Sequence, residues 1–382
     1  MPRSARRARL AVAAIFFANG VVLGTWAVRI PAVKGALHLD DAELGVALLF
    51  TAVGSVLSMP LAGRVVARRG SRGTTLAAYY ASCVALPLLA LAPSLVILAL
   101  ALFAYGASVA ATDVSMNAHG LVVERRYGRP ILASFHAAFS VGGLAGASAG
   151  GVVAAAGIGP RPHLLATALV LVVVGVAVSP LLLPATADAP DAAHTWVRPP
   201  RRLALIGLLA FCCLFAEGAA ADWSAVYASG PLHAGPGIAA LGFAAFSLTM
   251  TAGRLVGDRL TMRWGAVALT RRGGTLAAFG LAAALLISHP AAAVVGFACV
   301  GAGLASVVPV AFRAGGSAPG VAPGVGIAAV STIGYLGLLA GPPSIGLAAK
   351  LVGLPLALGI VVLLLATLVV LAPTTRPAEA PA

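Results

Sequence analysis

The chain predicts an all-α membrane protein with twelve transmembrane helices in two six-helix halves, and three observations lead there. Only 9 % of its 382 residues are charged and 60 % are hydrophobic, against roughly a quarter charged in an ordinary soluble domain. A soluble core of this length would need a solvated polar shell, so lipid has to solvate most of the surface. Second, twelve stretches approach the ~20 apolar residues that a spanning helix needs. Third, the basic residues fall on alternate connections. With the N-terminus inside, 21 of the 25 lie on inside segments and only Arg29, Lys34, Arg161 and Lys350 lie outside, the bias expected of cytoplasmic loops. Both termini are therefore expected in the cytoplasm. A nucleic-acid partner would not sort arginines by loop parity, so the net charge of +14 reads as topology and no nucleic-acid partner is expected.

In chain order the stretches are 10–28, 43–62, 74–92, 94–117, 131–156, 163–183, 203–223, 237–257, 274–288, 291–312, 325–348 and 354–372. The first ends in Trp26, Arg29 and Pro31 where a signal peptide would have small residues, so it is expected to remain as a span. Pro93 alone separates the third and fourth, and His289 and Pro290 separate the ninth and tenth, which predicts two tight helical hairpins. The segment 185–202, with Pro190, Pro199 and Pro200, reads as a cytoplasmic linker. It divides an N-terminal half, 1–184, from a C-terminal half, 203–382. Cys83, Cys212, Cys213 and Cys299 lie within apolar spans without metal-ligand spacing, so packing is their expected role, with no metal site. No phosphate-binding Gly-x-x-x-x-Gly-Lys-Ser/Thr loop occurs in the sequence. No cofactor and no enzymatic activity are expected.

The halves repeat. At a constant offset of 195, Arg64, Arg68 and Gly70 match Arg259, Arg263 and Gly265; Gly106 matches Gly301; and Gly142, Leu144, Ala145 and Gly146 match Gly337, Leu339, Ala340 and Gly341. A gapped echo pairs Asn19, Gly20 and Trp26 with Glu217, Gly218 and Trp223. Two parallel repeats are one plan of secondary transporters, whose substrate site lies near the membrane midplane.

The loop Gly63-Arg64-Val65-Val66-Ala67-Arg68-Arg69-Gly70-Ser71-Arg72 resembles the Gly-x-x-x-Asp-Arg/Lys-x-Gly-Arg/Lys signature of the major facilitator superfamily. It departs at Ala67, where the family usually has Asp, so a charge pair through that side chain is not carried over. The segments Asn19 to Lys34, Asp113 to Asn117 and Glu217 to Trp223 are similar to a poorly characterised bacterial branch akin to the fucose:proton symporter group. The resemblance implies the major facilitator fold and alternating-access, proton-coupled transport of a small polar solute, a sugar being one such solute. Protons and the lipid bilayer are then the partners beside the substrate, and the chain is expected to work as a monomer. Arginine and alanine richness with only two lysines, Lys34 and Lys350, points to a GC-rich bacterial genome and a multi-pass protein of the cytoplasmic (inner) membrane. Two alternatives stay open: proton-driven efflux of amphipathic compounds or drugs, and a non-transporting receptor or membrane enzyme. Drug antiporters of the superfamily carry Gly-Pro in the fifth span. Here that span reads Ala145-Gly146-Ala147, and Gly341-Pro342 stands in the eleventh.

Carboxylates inside a bilayer cost about 3 kcal/mol each on insertion scales and normally face a cavity or a partner. Asp113 and Glu217 are the two set well inside spans, and both are candidates for proton coupling. The alternative for each is a structural pairing with a neighbouring helix. Asp222 lies about 140° round the helix from Glu217 and reads as an outer-end group. Candidate substrate ligands are Asn19 and Trp26 on one face of the first span, Asn117 one turn from Asp113, His136 in the fifth span, and Tyr335 in the eleventh. An indole can stack on a sugar ring, but Trp26 equally suits the interfacial aromatic belt. Gly63, Arg64, Arg68, Gly70 and Arg72, with Arg259 and Arg263 in the second half, read as topology determinants and as a cytoplasmic gating loop with glycine-borne turns.

Overall fold

The computed structural model describes residues 3–39, 41–188, 201–234 and 236–376. All regular structure among them is helical. The helices are α1 (Arg3–Ala36), α2 (Asp41–Arg69), α3 (Ser71–Leu91), α4 (Leu95–Tyr127), α5 (Leu132–Ala155) and α6 (Pro160–Val178), followed by α7 (Arg201–Ser229), α8 (Pro236–Ile287), α9 (Pro290–Leu304), α10 (Val307–Gly316), α11 (Pro323–Val352) and α12 (Leu354–Leu371). Ten spans among the described residues are long and apolar enough to cross a membrane. Their surfaces have the inverted character that lipid requires: Leu10, Leu57, Phe279, Leu286 and Leu351 are exposed, whereas Asn19, Thr112, Ser115 and Asn117 are buried.

Both expected hairpins form. Ser94 caps α4 by accepting from the Ile97 N–H at 3.5 Å, and α9 begins at Pro290 behind His289, whose ring accepts from the Ala291 N–H. Two expectations need correction. The connections between the second and third and between the eighth and ninth stretches are not loops, because residues 63–73 and 258–273 are helical except at Gly70 (φ 82°, ψ 163°) and Gly265 (φ 76°, ψ 161°). The tenth stretch is not one helix but α9 and α10. Pro309 has no N–H to offer the Ala305 carbonyl and its ring crowds that group, so the helix breaks at residues 305–306. Most of the expected linker, residues 189–200 with Pro190, Pro199 and Pro200, lies outside the described residues.

The chain forms two compact units. Of the described residues, one comprises those within 1–129, 135–195 and 322–328; the other comprises those within 130–134, 196–321 and 329–382. In the first, α4 packs on α1, α2 and α3, and α6 packs on α1 and α3. In the second, α8 packs on α9, α12 and α7.

The sequence repeat reappears inside each unit as geometry. Gly70 (φ 82°, ψ 163°) and Gly265 (φ 76°, ψ 161°) hold the same left-handed backbone at the same turn, a conformation that a β-carbon disfavours. Gly106 lies so close to the Thr51 carbonyl that a Cβ would collide with it, and Gly301 stands in the same relation to the Phe246 carbonyl. Both members of that second contact are displaced by 195 residues from the first.

Candidate functional site

In the first unit a polar cluster sits midway along α4. Asp113 and Asn117, one turn apart, are both buried. The Asn117 Nδ2 donates to the Asp113 backbone carbonyl at 2.8 Å and to its carboxylate Oδ1 at 3.1 Å. The opposite atom of the amide, Oδ1, lies 3.0 Å from Nε2 of His136 on α5. With the amide so turned, Nε2 is the donor, so the chain of bonds runs from imidazole through amide to carboxylate. The partner of Asp113 is thus on its own helix, and no cation is paired with it among the described residues. Phe16 of α1 stacks on Phe135 and meets the His136 ring edge-on, each at 5.4 Å between centroids. One turn further on, Asn19 is 1 % exposed and its Oδ1 has no hydrogen-bond partner among the described residues. The backbones approach here because Gly20 faces the Phe139 carbonyl and Gly143 of α5 without side-chain bulk.

Trp26 is also buried in this unit, with its ring 6.3 Å from that of Tyr105. Because α1 continues ten residues beyond it to Ala36, Trp26 is not at a helix end facing the lipid. Arg29 is buried as well. Its Nε donates to Nδ1 of His163 at 2.9 Å, while one terminal nitrogen lacks an acceptor among the described residues.

The second unit has its own buried charge. Glu217 of α7 and Arg254 of α8 are 3.5 Å apart. Arg254, which loop parity counts with the cytoplasmic arginines, is buried. Glu217 Oε2, Trp223 Nε1 and Ser224 Oγ, all on α7, are buried atoms without hydrogen-bond partners among the described residues, as is Ser331 Oγ on α11. Tyr335, one turn beyond Ser331, is half-buried, and Asp222 is exposed. The gapped sequence echo therefore pairs two unsatisfied oxygens, Asn19 Oδ1 and Glu217 Oε2. Each precedes a glycine packed on a neighbouring helix, Gly20 on α5 and Gly218 on Leu338 of α11. Seven apart along a helix, Glu217 and Ser224 share a face.

Of the expected gating residues, Gly63 packs in the first unit against Gly324 and Ala328 at the start of α11. Arg72 donates to the Ser179 carbonyl at 3.1 Å. Arg64, Arg68, Arg259 and Arg263 are exposed. A residue that the sequence reading missed is Asp258, the repeat counterpart of Gly63. Its two carboxylate oxygens accept from the backbone N–H groups of Ala133 and Ser134, at 2.9 and 2.8 Å, in the first turn of α5. A carboxylate there satisfies two N–H groups and complements the helix dipole. The available signal was an acidic residue among the arginines of the second repeat, where the first has glycine.

This arrangement of apolar helices with a buried ionisable centre in each unit matches a known class. The family model of the Major Facilitator Superfamily matches residues 10–342. An uncharacterized MFS-type transporter of Yersinia pestis is 37 % identical over 352 residues, covering 92 % of this chain and 91 % of the relative. An uncharacterized transporter of Sinorhizobium fredii is 36 % identical over 96 % of this chain and 97 % of its own length. Membrane protein MosC of Rhizobium meliloti is 37 % identical, covering 91 % of this chain and 85 % of MosC. Among solved structures, the FucP transporter in its outward conformation superposes with a TM-score of 0.81 at 14 % identity, covering 98 % of this chain and 100 % of FucP. The human organic anion transporter MFSD10 gives 0.75 at 16 % identity over 97 % of this chain and 100 % of its own. The chain belongs to the major facilitator superfamily. It is a multi-pass membrane protein of the secondary-transporter class.

Proposed function

We propose that this protein couples proton movement to the transport of a small polar solute, a sugar being the first class to test, by alternating access. Twelve membrane crossings in two six-helix halves, 1–184 and 203–382, belong to this reading, as do cytoplasmic termini, a bacterial inner-membrane address and a monomeric working state. The observation that carries it is the pair of repeat-related unsatisfied oxygens, Asn19 Oδ1 and Glu217 Oε2, each buried in a unit that also buries an ionisable group.

Burying a polar atom without a partner costs about 1–3 kcal/mol, so these atoms are suited to being completed by a hydroxyl-bearing solute or by water. In this reading Asp113 is the proton carrier. Asn117 holds its carboxylate in place, and His136 donates into the same chain of bonds. Asn19, Asn117, His136, Trp26 and Tyr335 are substrate ligands. Glu217, held by Arg254, is the second charged centre, and the pair breaks when Arg254 is drawn to substrate or when Glu217 takes up a proton. FucP, which shares this chain's fold, is a fucose:proton symporter of E. coli, and this supports testing sugars first.

The test uses purified protein in proteoliposomes. A thermal-shift screen against sugars, organic acids and drugs supplies the solute, and a lumenal pH dye reports proton movement when that solute is added. Symport predicts that protons move with the solute, whereas efflux by antiport predicts the opposite sign. Asp113→Asn is expected to abolish proton-driven accumulation and spare counterflow exchange. Unchanged accumulation in Asp113→Asn overturns the assignment.

A further inference from the structure

At the Gly265 break of α8 the second unit holds a recess of about 390 Å³. Trp264, Arg271 and Arg272 line it, together with the turn at residues 265–268. Both arginines are exposed, and neither has a carboxylate partner among the described residues. The three described carboxylates of this unit lie elsewhere: Asp258 holds the first turn of α5, Glu217 faces Arg254, and Asp222 is on α7. The Arg272 guanidinium rests over the Trp264 ring, 4.7 Å from its centroid. That contact holds one cation in a fixed place at the mouth of the recess instead of leaving it to wander in solvent.

The helix leaving the recess is apolar on the same side. Leu276, Phe279, Ala283 and Leu286 follow Arg272 at intervals of one helical turn and are all exposed. A free anion would use the arginines and ignore this stripe. A molecule with a phosphate at one end and a hydrocarbon chain at the other would use both.

We propose that this recess is a binding site for an anionic phospholipid. The phosphodiester lies against Arg271 and Arg272, Trp264 sits at headgroup level, and an acyl chain runs along Leu276 and Phe279. The placement rests on the proposed topology, in which the arginine-rich turns face the cytoplasmic leaflet. It is independent of which solute or ion the transporter carries.

Native mass spectrometry of the full-length protein in detergent, titrated with phosphatidylglycerol, phosphatidylcholine or inorganic phosphate, tests it. Phosphatidylglycerol is expected to be retained in preference to phosphatidylcholine, with R271Q/R272Q weakening its binding about tenfold. R6Q/R7Q removes the same charge from the N-terminal segment and is expected to leave binding unchanged. W264L and F279S are each expected to weaken it a few-fold. Equal binding by R271Q/R272Q and wild type overturns the site, as does an equal loss in R6Q/R7Q. Displacement of the lipid by an equal concentration of inorganic phosphate overturns the lipid as occupant. The single variants R271Q and R272Q carry the same test, at a few-fold each, should the double variant not fold.

Discussion

Asn117 is bonded to Asp113 and to His136 at once, and its replacement should do more than remove a ligand. Asn117→Leu strips the carboxylate of its amide donor and leaves buried polar atoms behind, at about 1–3 kcal/mol. The expected result is a lower thermal midpoint in detergent together with loss of counterflow exchange. Asp113→Asn should differ by keeping exchange. The Glu217–Arg254 pair offers a second test by double-mutant cycle. Glu217→Gln and Arg254→Gln should each destabilise, because each leaves a charge in a poorly solvated place. The double variant should recover part of the loss, a coupling of about 1 kcal/mol given that Glu217 is partly exposed. Strict additivity of the two single effects would show that the two charges do not interact. The sequence made part of this site legible. Asp113 and Asn117 stand one turn apart on one helix, a spacing that periodicity exposes. His136 could be named as a candidate but not as the third member, since its approach to Asn117 depends on how α5 lies on α4. Arg254 was concealed by its own charge, because arginines near a span's cytoplasmic end read as loop residues whichever way they point.

Helix packing in each unit rests on places where glycine lets backbones touch. Gly106→Ala and Gly301→Ala should each force α4 from α2, or α9 from α8, costing about 1–3 kcal/mol through overpacking. Gly359→Ala, in α12 where nothing lies within 4 Å of the added atom, should stay within about 1 kcal/mol of wild type. Thermal unfolding of the three variants side by side decides this, and equal midpoints would deny the close contacts their role. Gly265→Ala meets open space yet a left-handed backbone, so any loss there measures conformational strain alone, about 1–2 kcal/mol. Hydrophobic run length found where the helices lie, because a run that must cross lipid is nearly uninterrupted, but α1, α2, α4 and α7 run six to ten residues past the apolar stretch. It mistook the arginine-rich stretch of α8 for a loop, since polarity marks where a chain leaves the membrane and not where it leaves the helix. The α9–α10 break turns on one missing N–H at Pro309, which hydropathy does not register.

For the molecule as a whole, arginine parity fixes a set of expected sides that a reporter can read. Alkaline phosphatase, active only outside the cytoplasm, should be active when fused after Lys34 or Arg161 and inactive when fused after Arg72, Arg129 or Arg376. Activity after Arg129 would reverse the proposed topology. The repeat was the other whole-molecule property open to sequence reading, and its offset recurs in backbone angles and in helix contacts far more exact than residue identity alone. The four cysteines have a practical consequence at this scale. Cys83, Cys212 and Cys213 are buried, and Cys299 is partly covered where Gly280 lies against its side chain. The native chain should therefore be almost silent to a water-soluble maleimide. A single cysteine introduced on any connection would report its own accessibility in an intact cell, without first stripping the protein of its natural thiols. Cys213, one turn ahead of Glu217, would remain as a built-in sensor for a small membrane-permeant reagent, its reaction rate tracking whether that charged centre is open or filled.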